Sequence, residues 1–301
     1  MKIKGIVYMD ESMGWLEKSP EKIQEDMQMI KEKLYANTIR LEGYESKVFD
    51  IAKIAKDQGL DVWIQPKFED VIHTSTFLEK CKELAKKAQE LGLTVFIAGG
   101  ELSLELNFET EEIMDYVEKV KDFETYVIKP LRKNPKRFQN FMIELIKVIN
   151  ENFNGKIAYS SGTWEFDYVP WDHFDIIMNN QFYWEPTKNN FFELLKEIKK
   201  FGKSALQGEC GFQTIDKAME AGPKFLYPKE NIVKYNEDVQ AKCFKENLEY
   251  VKKADLDGVF IQQFDEGEIV GNGDLGFGIV KLDGTKKKSF YVISEFFKKW
   301  Q

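Results

Sequence analysis

The chain has 301 residues, 43% of them hydrophobic and 31% charged, which is enough to bury a sizeable core and long enough for one α/β barrel of about 250 residues. Its net charge of −8 argues against nucleic acid or an anionic membrane as partner, since either calls for a basic patch. Three cysteines, Cys81, Cys210 and Cys243, lie far apart in no metal-like spacing, one must stay unpaired, and this suits a reducing compartment. The chain begins directly on an apolar strand and holds no apolar run that would span a bilayer, so the expectation is a cytoplasmic protein.

Taken in order, the chain alternates strand and helix. Lys2–Tyr8 is the first strand and Asp10–Trp15 a loop. Ser19-Pro20-Glu21 opens a helix with an N-cap serine and a proline at its first position, and Ile23, Met27, Ile30 and Leu34 form its apolar stripe. Asn37–Leu41 is the second strand, Glu45–Gln58 a helix stopped by Gly59, and Leu60–Gln65 the third strand. Thr74–Leu91 is a long helix, with Gly92 at its stop. Thr94–Ala98 is the fourth strand, β-branched, aromatic or small throughout, as a strand buried on both faces should be.

From Leu102 to Pro135 the spacing breaks, with an acidic run over Glu109–Glu124 that reads as a solvated helix face, and a basic stretch over Lys129–Lys136. This is an excursion from the fourth strand rather than a new domain. Pro135–Phe153 is the next helix, Lys156–Ser160 the fifth strand, Phe174–Met178 the sixth, Asn190–Phe201 a helix, and Ala205–Gly208 part of the seventh. A longer loop precedes the helix Asn236–Lys253. Gly258–Gln263 is the eighth strand; a glycine-rich loop, a hairpin over Gly278–Lys286 and a last helix, Ser289–Lys299, complete the chain. The pattern predicts a closed (β/α)₈ barrel, a TIM barrel, in a single domain over residues 1–301. An open doubly wound sheet is the runner-up, but the loop after the first strand has no G-x-G-x-x-G.

In such a barrel the chemistry sits where strands end. Two glutamates meet that rule: Glu101 in TVFIAGGELS, just past the fourth strand, and Glu209 in SALQGECGF, at the seventh. Two carboxylates on the strand ends of one barrel are what glycoside hydrolysis requires, one as acid and one as nucleophile. Glu42 and Asp265 also lie at strand ends and are the rivals for these roles. Trp164, Trp171 and Trp184 stand where an aromatic platform for a sugar would be, or in loop core. His73 and His173 are far apart with no ligand spacing, so no metal site is expected, and the two-carboxylate chemistry needs no cofactor.

In these residues the chain resembles clan A, the (β/α)₈ retaining glycoside hydrolases, over nearly its whole length. The resemblance makes Glu101 the acid/base and Glu209 the nucleophile, with an oligosaccharide or glycoside as substrate. It gives Arg40 in TIRLEG the role of holding the nucleophile, and Tyr183 in NNQFYW that of hydrogen-bonding it. GECGF is similar to the clan's nucleophile turn, with Cys210 at an aromatic place, and GFGIVKLDGTKKKSFYVISEF to its usual ending. Two departures bear on substrate. The asparagine that usually precedes the acid/base is Gly100, and the eighth strand carries Gln262, Gln263 and Phe264 where a tryptophan platform is usual. A second reading, favoured by those losses, is a catalytically silent barrel that binds a glycan or a protein partner in a defence or scaffold role; a metal-dependent isomerase or aldolase ranks third. Sugar, linkage, endo or exo action and oligomeric state are not encoded in these motifs.

Overall fold

A computed structural model describes residues 2–9, 17–68, 70–108, 116–223, 234–266 and 275–301. Eight parallel strands close into a barrel in chain order: β1 (Ile3–Met9), β2 (Thr38–Glu42), β3 (Asp61–Gln65), β4 (Val95–Gly100), β5 (Lys156–Ser161), β6 (Ile176–Asn179), β7 (Ser204–Cys210) and β8 (Gly258–Ile261). β1 closes the ring by pairing with both β2 and β8. The expected (β/α)₈ barrel is therefore the fold, and the open sheet is excluded. The loop over residues 10–15, residues 109–115 of the acidic run and the glycine-rich loop after β8 lie outside the described residues.

The helices follow the sequence closely. α1 (Pro20–Glu32) starts on Ser19, whose hydroxyl accepts from the Lys22 N–H at 3.2 Å, and buries Ile23, Met27 and Ile30. α2 (Lys47–Asp57), α3 (Thr74–Glu90), α4 (Pro135–Asn150), α5 (Phe191–Glu197), α6 (Glu237–Lys253) and α7 (Lys288–Lys299) complete the main outer ring. No α-helix links β5 to β6. Two single 3₁₀ turns, Phe166–Tyr168 and Trp171–His173, do so instead. Trp171, only 2% exposed, fills the place of the missing helix, packing its ring on Phe166 and Phe174 and donating its indole N–H to the Phe166 carbonyl at 2.8 Å. It is loop core and not a sugar platform.

Strand alternation sorts the core into two parts. Ile39 and Leu41 of β2 point outward to Val48, Ile51, Ala52 and Ala55 of α2 in the layer between sheet and helices. Val7, Trp63, Val95, Ile97, Ala158, Ile176, Met178, Leu206 and Phe260 fill the barrel's interior. Trp63 and Phe260 meet there at 5.3 Å between ring centres, and fully burying such a side chain contributes roughly 1.5–3 kcal/mol or more. Gly5 makes room for them, because a Cβ at that position would lie 2.3 Å from the Phe260 ring.

The excursion after β4 is real. A short helix, Leu102–Glu105, leads into Leu106–Asn107, which pairs in parallel with Ile72–His73. A second helix, Tyr116–Lys121, a π-helical turn, Glu124–Ile128, and Lys129–Lys133 then bring the chain back to α4.

Candidate active site

Above the apolar layers, the same inward positions turn polar. Arg40 and Glu42 of β2, Gln65 of β3, Ser160 of β5 and Asn180 just past β6 form a ring at the C-terminal end of the barrel, all buried. Both glutamates singled out by the strand-end rule join this ring, and both do so beside a slip in strand register. β4 pairs with β5 in regular register to Ile97 and then shifts before Gly100; β7 shifts against β8 between Gln207 and Cys210. The second slip matters most. Leu206 faces the interior and Gln207 faces out to Asn247 of α6, so strict alternation would turn Glu209 outward with Gln207. The extra residue re-aims it inward. On β4, Glu101 takes a left-handed backbone (φ 49°, ψ 39°), a conformation that disfavours a side chain by roughly 1–2 kcal/mol. Its N–H donates to the Ser160 carbonyl at 3.0 Å, which helps to hold that turn.

One amide joins the two carboxylates. Asn180 Nδ2 donates to Glu101 Oε1 and to Glu209 Oε1, each at 2.9 Å. The two oxygens therefore lie no more than about 5.8 Å apart, and close to 5 Å if the N–H bonds diverge by the ~120° of a planar amide. Asn180 is itself fixed, since its Oδ1 accepts from the Ser160 hydroxyl at 2.7 Å. Gly208 is required beneath: a Cβ there would sit 2.5 Å from Asn180 Oδ1 and 2.6 Å from Ser160 Oγ.

Arg40 anchors the other side. Its Nη1 donates to the Gly208 carbonyl at 3.0 Å and to Ser160 Oγ at 3.2 Å; Nη2 meets Glu42 at 2.6 Å and Glu209 at 3.4 Å. Glu42 is fully buried between Arg40 and Lys67, which lies 3.5 Å away and also pairs with Glu105 at 3.1 Å. Glu42 is thus sealed into an ion cluster, away from any substrate. Replacing Arg40 with leucine would leave Glu42 and Glu209 short of their guanidinium. Breaking a buried pair in this way is expected to lower stability by about 3–5 kcal/mol, read from the urea midpoint; a loss under about 1 kcal/mol would contradict the cluster.

The electrostatics divide the two carboxylates. Burial raises the Glu101 pKa well above the ordinary value, and the Glu209 charge raises it further, with the Asn180 hydrogen bond opposing. Burial also raises Glu209, but the Arg40 guanidinium works against it, and the rise is smaller. Glu42 is held below its usual value because Arg40 and Lys67 together outweigh the cost of burial. The two carboxyls, about 5 Å apart over an apolar floor, thus differ in how strongly each holds a proton, the asymmetry that acid-assisted nucleophilic displacement at an acetal carbon needs.

A further buried carboxyl, Glu165, fixes the Glu101 loop. It accepts from the backbone N–H of Ser103 at 3.0 Å and of Gly162 at 3.2 Å, and from the Tyr159 hydroxyl, which in turn accepts from the Leu102 N–H at 3.0 Å. Burial pushes its pKa up to about 7 against these donors.

Other residues expected at the site are placed elsewhere. Tyr183 does not reach Glu209: its hydroxyl donates to Glu246 of α6 at 3.1 Å, and its ring packs on Phe191 and Tyr250. The hydrogen bond expected of it comes from Asn180. Trp164 is half-buried as a prop, its indole N–H donating to Ser103 Oγ at 2.9 Å and its ring set edge-on to Phe123 at 4.8 Å. Trp184 lies against Gly222, where a Cβ would approach its ring to 2.3 Å. Asp265 pairs with Lys18, which also binds Asp26 at 2.9 Å, and Gln263 donates to the Asp265 carbonyl at 3.0 Å. Asn180, Ser160, Lys67, Glu105 and Glu165 escape the strand-end rule, and the one signal for the first two is period-2 continuation from Met178 and Ala158.

The fold is a closed (β/α)₈ barrel with a ring of buried polar side chains at the C-terminal ends of its strands. No protein-family model matches the chain, and no curated protein matches it. Solved structures do. A GH113 beta-1,4-mannanase superposes with a TM-score of 0.71 at 14% identity, over 99% of both chains. The GH113 beta-mannanase from Alicyclobacillus acidocaldarius in complex with ManMIm gives 0.67 at 13% identity, over 99% of this chain and 97% of that one. A GH2 beta-galacturonidase from Eisenbergiella tayi bound to galacturonate gives 0.69 at 17% identity, this chain spanning 51% of its length. Among the described residues, no helix is long and apolar enough to cross a membrane.

Proposed function

We propose that this protein is a retaining glycoside hydrolase in which Glu101 is the acid/base and Glu209 the nucleophile. The observation that carries the reading is the single Asn180 amide bonded at 2.9 Å to both carboxylates, a spacing that matches the roughly 5–5.5 Å of double-displacement enzymes. Glu101 gives its proton to the glycosidic oxygen as Glu209 attacks the anomeric carbon; the aglycone leaves and an ester to Glu209 remains. Water then enters, Glu101 takes its proton, and the ester is displaced from the opposite face, so that configuration is retained. Arg40 keeps Glu209 ionised for the first step, and no cofactor takes part.

The neighbours narrow the first substrates to test: aryl β-mannosides and β-galacturonides. Proton NMR of the first-formed sugar should show the substrate's own anomeric configuration. Absence of hydrolysis across a broad panel of aryl glycosides and oligosaccharides would overturn the reading in favour of a silent glycan-binding barrel.

The pH profile follows from the same electrostatics. Activity requires Glu209 ionised and Glu101 protonated, so kcat/KM should fall below the first pKa and above the second. Burial lifts both, and Glu101 further, so the alkaline limb is expected well above the ordinary glutamate value of about 4.3. An alkaline limb at that ordinary value would contradict the assignment of Glu101.

A further inference from the structure

The excursion after β4 fastens a helix that begins with Tyr116 onto the Glu101 loop. In its helix Tyr116–Lys121, Lys119 is only 4% exposed, and its ammonium donates to the carbonyls of Leu104 at 3.1 Å and Leu106 at 2.6 Å. Those carbonyls belong to the segment that leaves Glu101, so the lysine pins this helix onto the Glu101 loop. Phe123, set against Trp164, and Trp164, bonded to Ser103, make a second attachment. Tyr116 lies three residues before Lys119, one turn back on the same helix face, and so hangs over the same loop.

Tyr116 remains 39% exposed although the helix is fastened down. Burial raises its phenol pKa, the charges of Glu101, Glu105 and Glu209 raise it further, and the Lys67 ammonium opposes them. These groups belong to the segments after β3 and β4 and to β7, in agreement with the attachment of the helix to the Glu101 loop through Lys119. Among the described residues, the tryptophans that the sequence offers as a sugar platform are engaged: Trp171 in core, Trp164 as a prop, and Trp184 against Gly222. The described eighth-strand end supplies Gln262, Gln263 and Phe264, the last of which is 1% exposed and belongs to the outer core.

We propose that Tyr116 is a substrate-contacting residue whose ring face stacks on the C–H face of a sugar bound at Glu101 and Glu209. The proposal rests on the glycosidase reading of that pair. The chemistry is general: the electron-rich face of an aromatic ring meets the slightly positive C–H hydrogens of a pyranose, and the contact excludes water from one side of the sugar. It also gives the excursion a function, since a barrel with no tryptophan at the end of β8 gains its platform from β4 instead.

The test uses the full chain and the best aryl glycoside from the wild-type screen, with Tyr116→Ala, Tyr116→Phe and Tyr116→Trp. Tyr116→Phe keeps the ring and should hold KM within about threefold of wild type, and Tyr116→Trp should match or lower it. Tyr116→Ala should raise KM about tenfold with a smaller change in kcat, at an unfolding temperature within a few degrees of wild type. A wild-type KM in Tyr116→Ala overturns the proposal while leaving the roles of Glu101 and Glu209 untouched. A loss in Tyr116→Phe equal to that in Tyr116→Ala overturns stacking, since the phenol would then carry the contact. A wild-type chain that hydrolyses no glycoside overturns the glycosidase reading itself, and this proposal with it.

Discussion

Glu209→Gln is expected to leave the fold standing and to lower turnover by at least about 10³-fold. The amide is nearly isosteric with the carboxylate, and its oxygen can still accept from Asn180 and Arg40, so the packing around β7 is kept. What disappears is the negative charge that makes the oxygen nucleophilic enough to form the ester to the anomeric carbon. The unfolding temperature should stay within a few degrees of wild type. A second consequence is specific to this site. Glu209 is one of the charges that hold the Glu101 proton on, so in the variant Glu101 should titrate at lower pH than in the wild type. Full activity in Glu209→Gln would move the nucleophile elsewhere. The other strand-end carboxylates are poorly placed to inherit the role, with Glu42 sealed between Arg40 and Lys67 and Asp265 held by Lys18.

Glu101→Ala should separate the two halves of the reaction. An aryl glycoside with a good leaving group needs little help from an acid, so the glycosyl-enzyme should form at near-normal rate. Its breakdown needs a base to deprotonate water, and the variant should stall there. Azide attacks the anomeric carbon without giving up a proton. It should displace Glu209, restart turnover and yield a glycosyl azide of retained configuration. Substrates with poor leaving groups should lose several orders of magnitude and not be rescued. Full activity of Glu101→Ala on poor leaving groups would end the acid/base assignment. The variant also exchanges a left-handed glutamate for a left-handed alanine at φ 49°, so the strain of the turn is unchanged and a fold loss is not expected from that source.

Much of the barrel was legible because its strands are short, apolar and separated by helices with readable caps. Ser19-Pro20 and Asn236 start helices as their chemistry dictates, and the eight strands appear where β-branched and aromatic residues cluster. The fifth connection shows the limit, since nothing in the spacing from Ser161 to Asp175 says that Trp171 would replace a helix. At the site, Glu101, Glu209 and Arg40 converge as their strand ends suggest, yet alternation alone would have turned Glu209 away. The register slip that corrects this is a property of β7 against β8, and no single-strand pattern carries it. Tyr183 failed for a related reason. The Asn180 N–H makes the last ladder contact of β6, to Ser161 at 2.9 Å, and three residues later the chain has left the sheet for the packing of α5 and α6. Asn180 is the last position at which inward alternation still holds, and Glu165 is placed by a loop that has no period to read.

The most direct measurement is to trap the intermediate. A 2-deoxy-2-fluoro glycosyl fluoride of the sugar cleaved in the screen should slow both steps, the second more, so that the ester accumulates. Intact mass should then rise by one fluoroglycosyl unit, and peptide mapping should place it on Glu209, with no label in Glu209→Gln. A label on Glu42 or Asp265, or hydrolysis with inverted configuration and no trapped ester, would contradict the proposed double displacement.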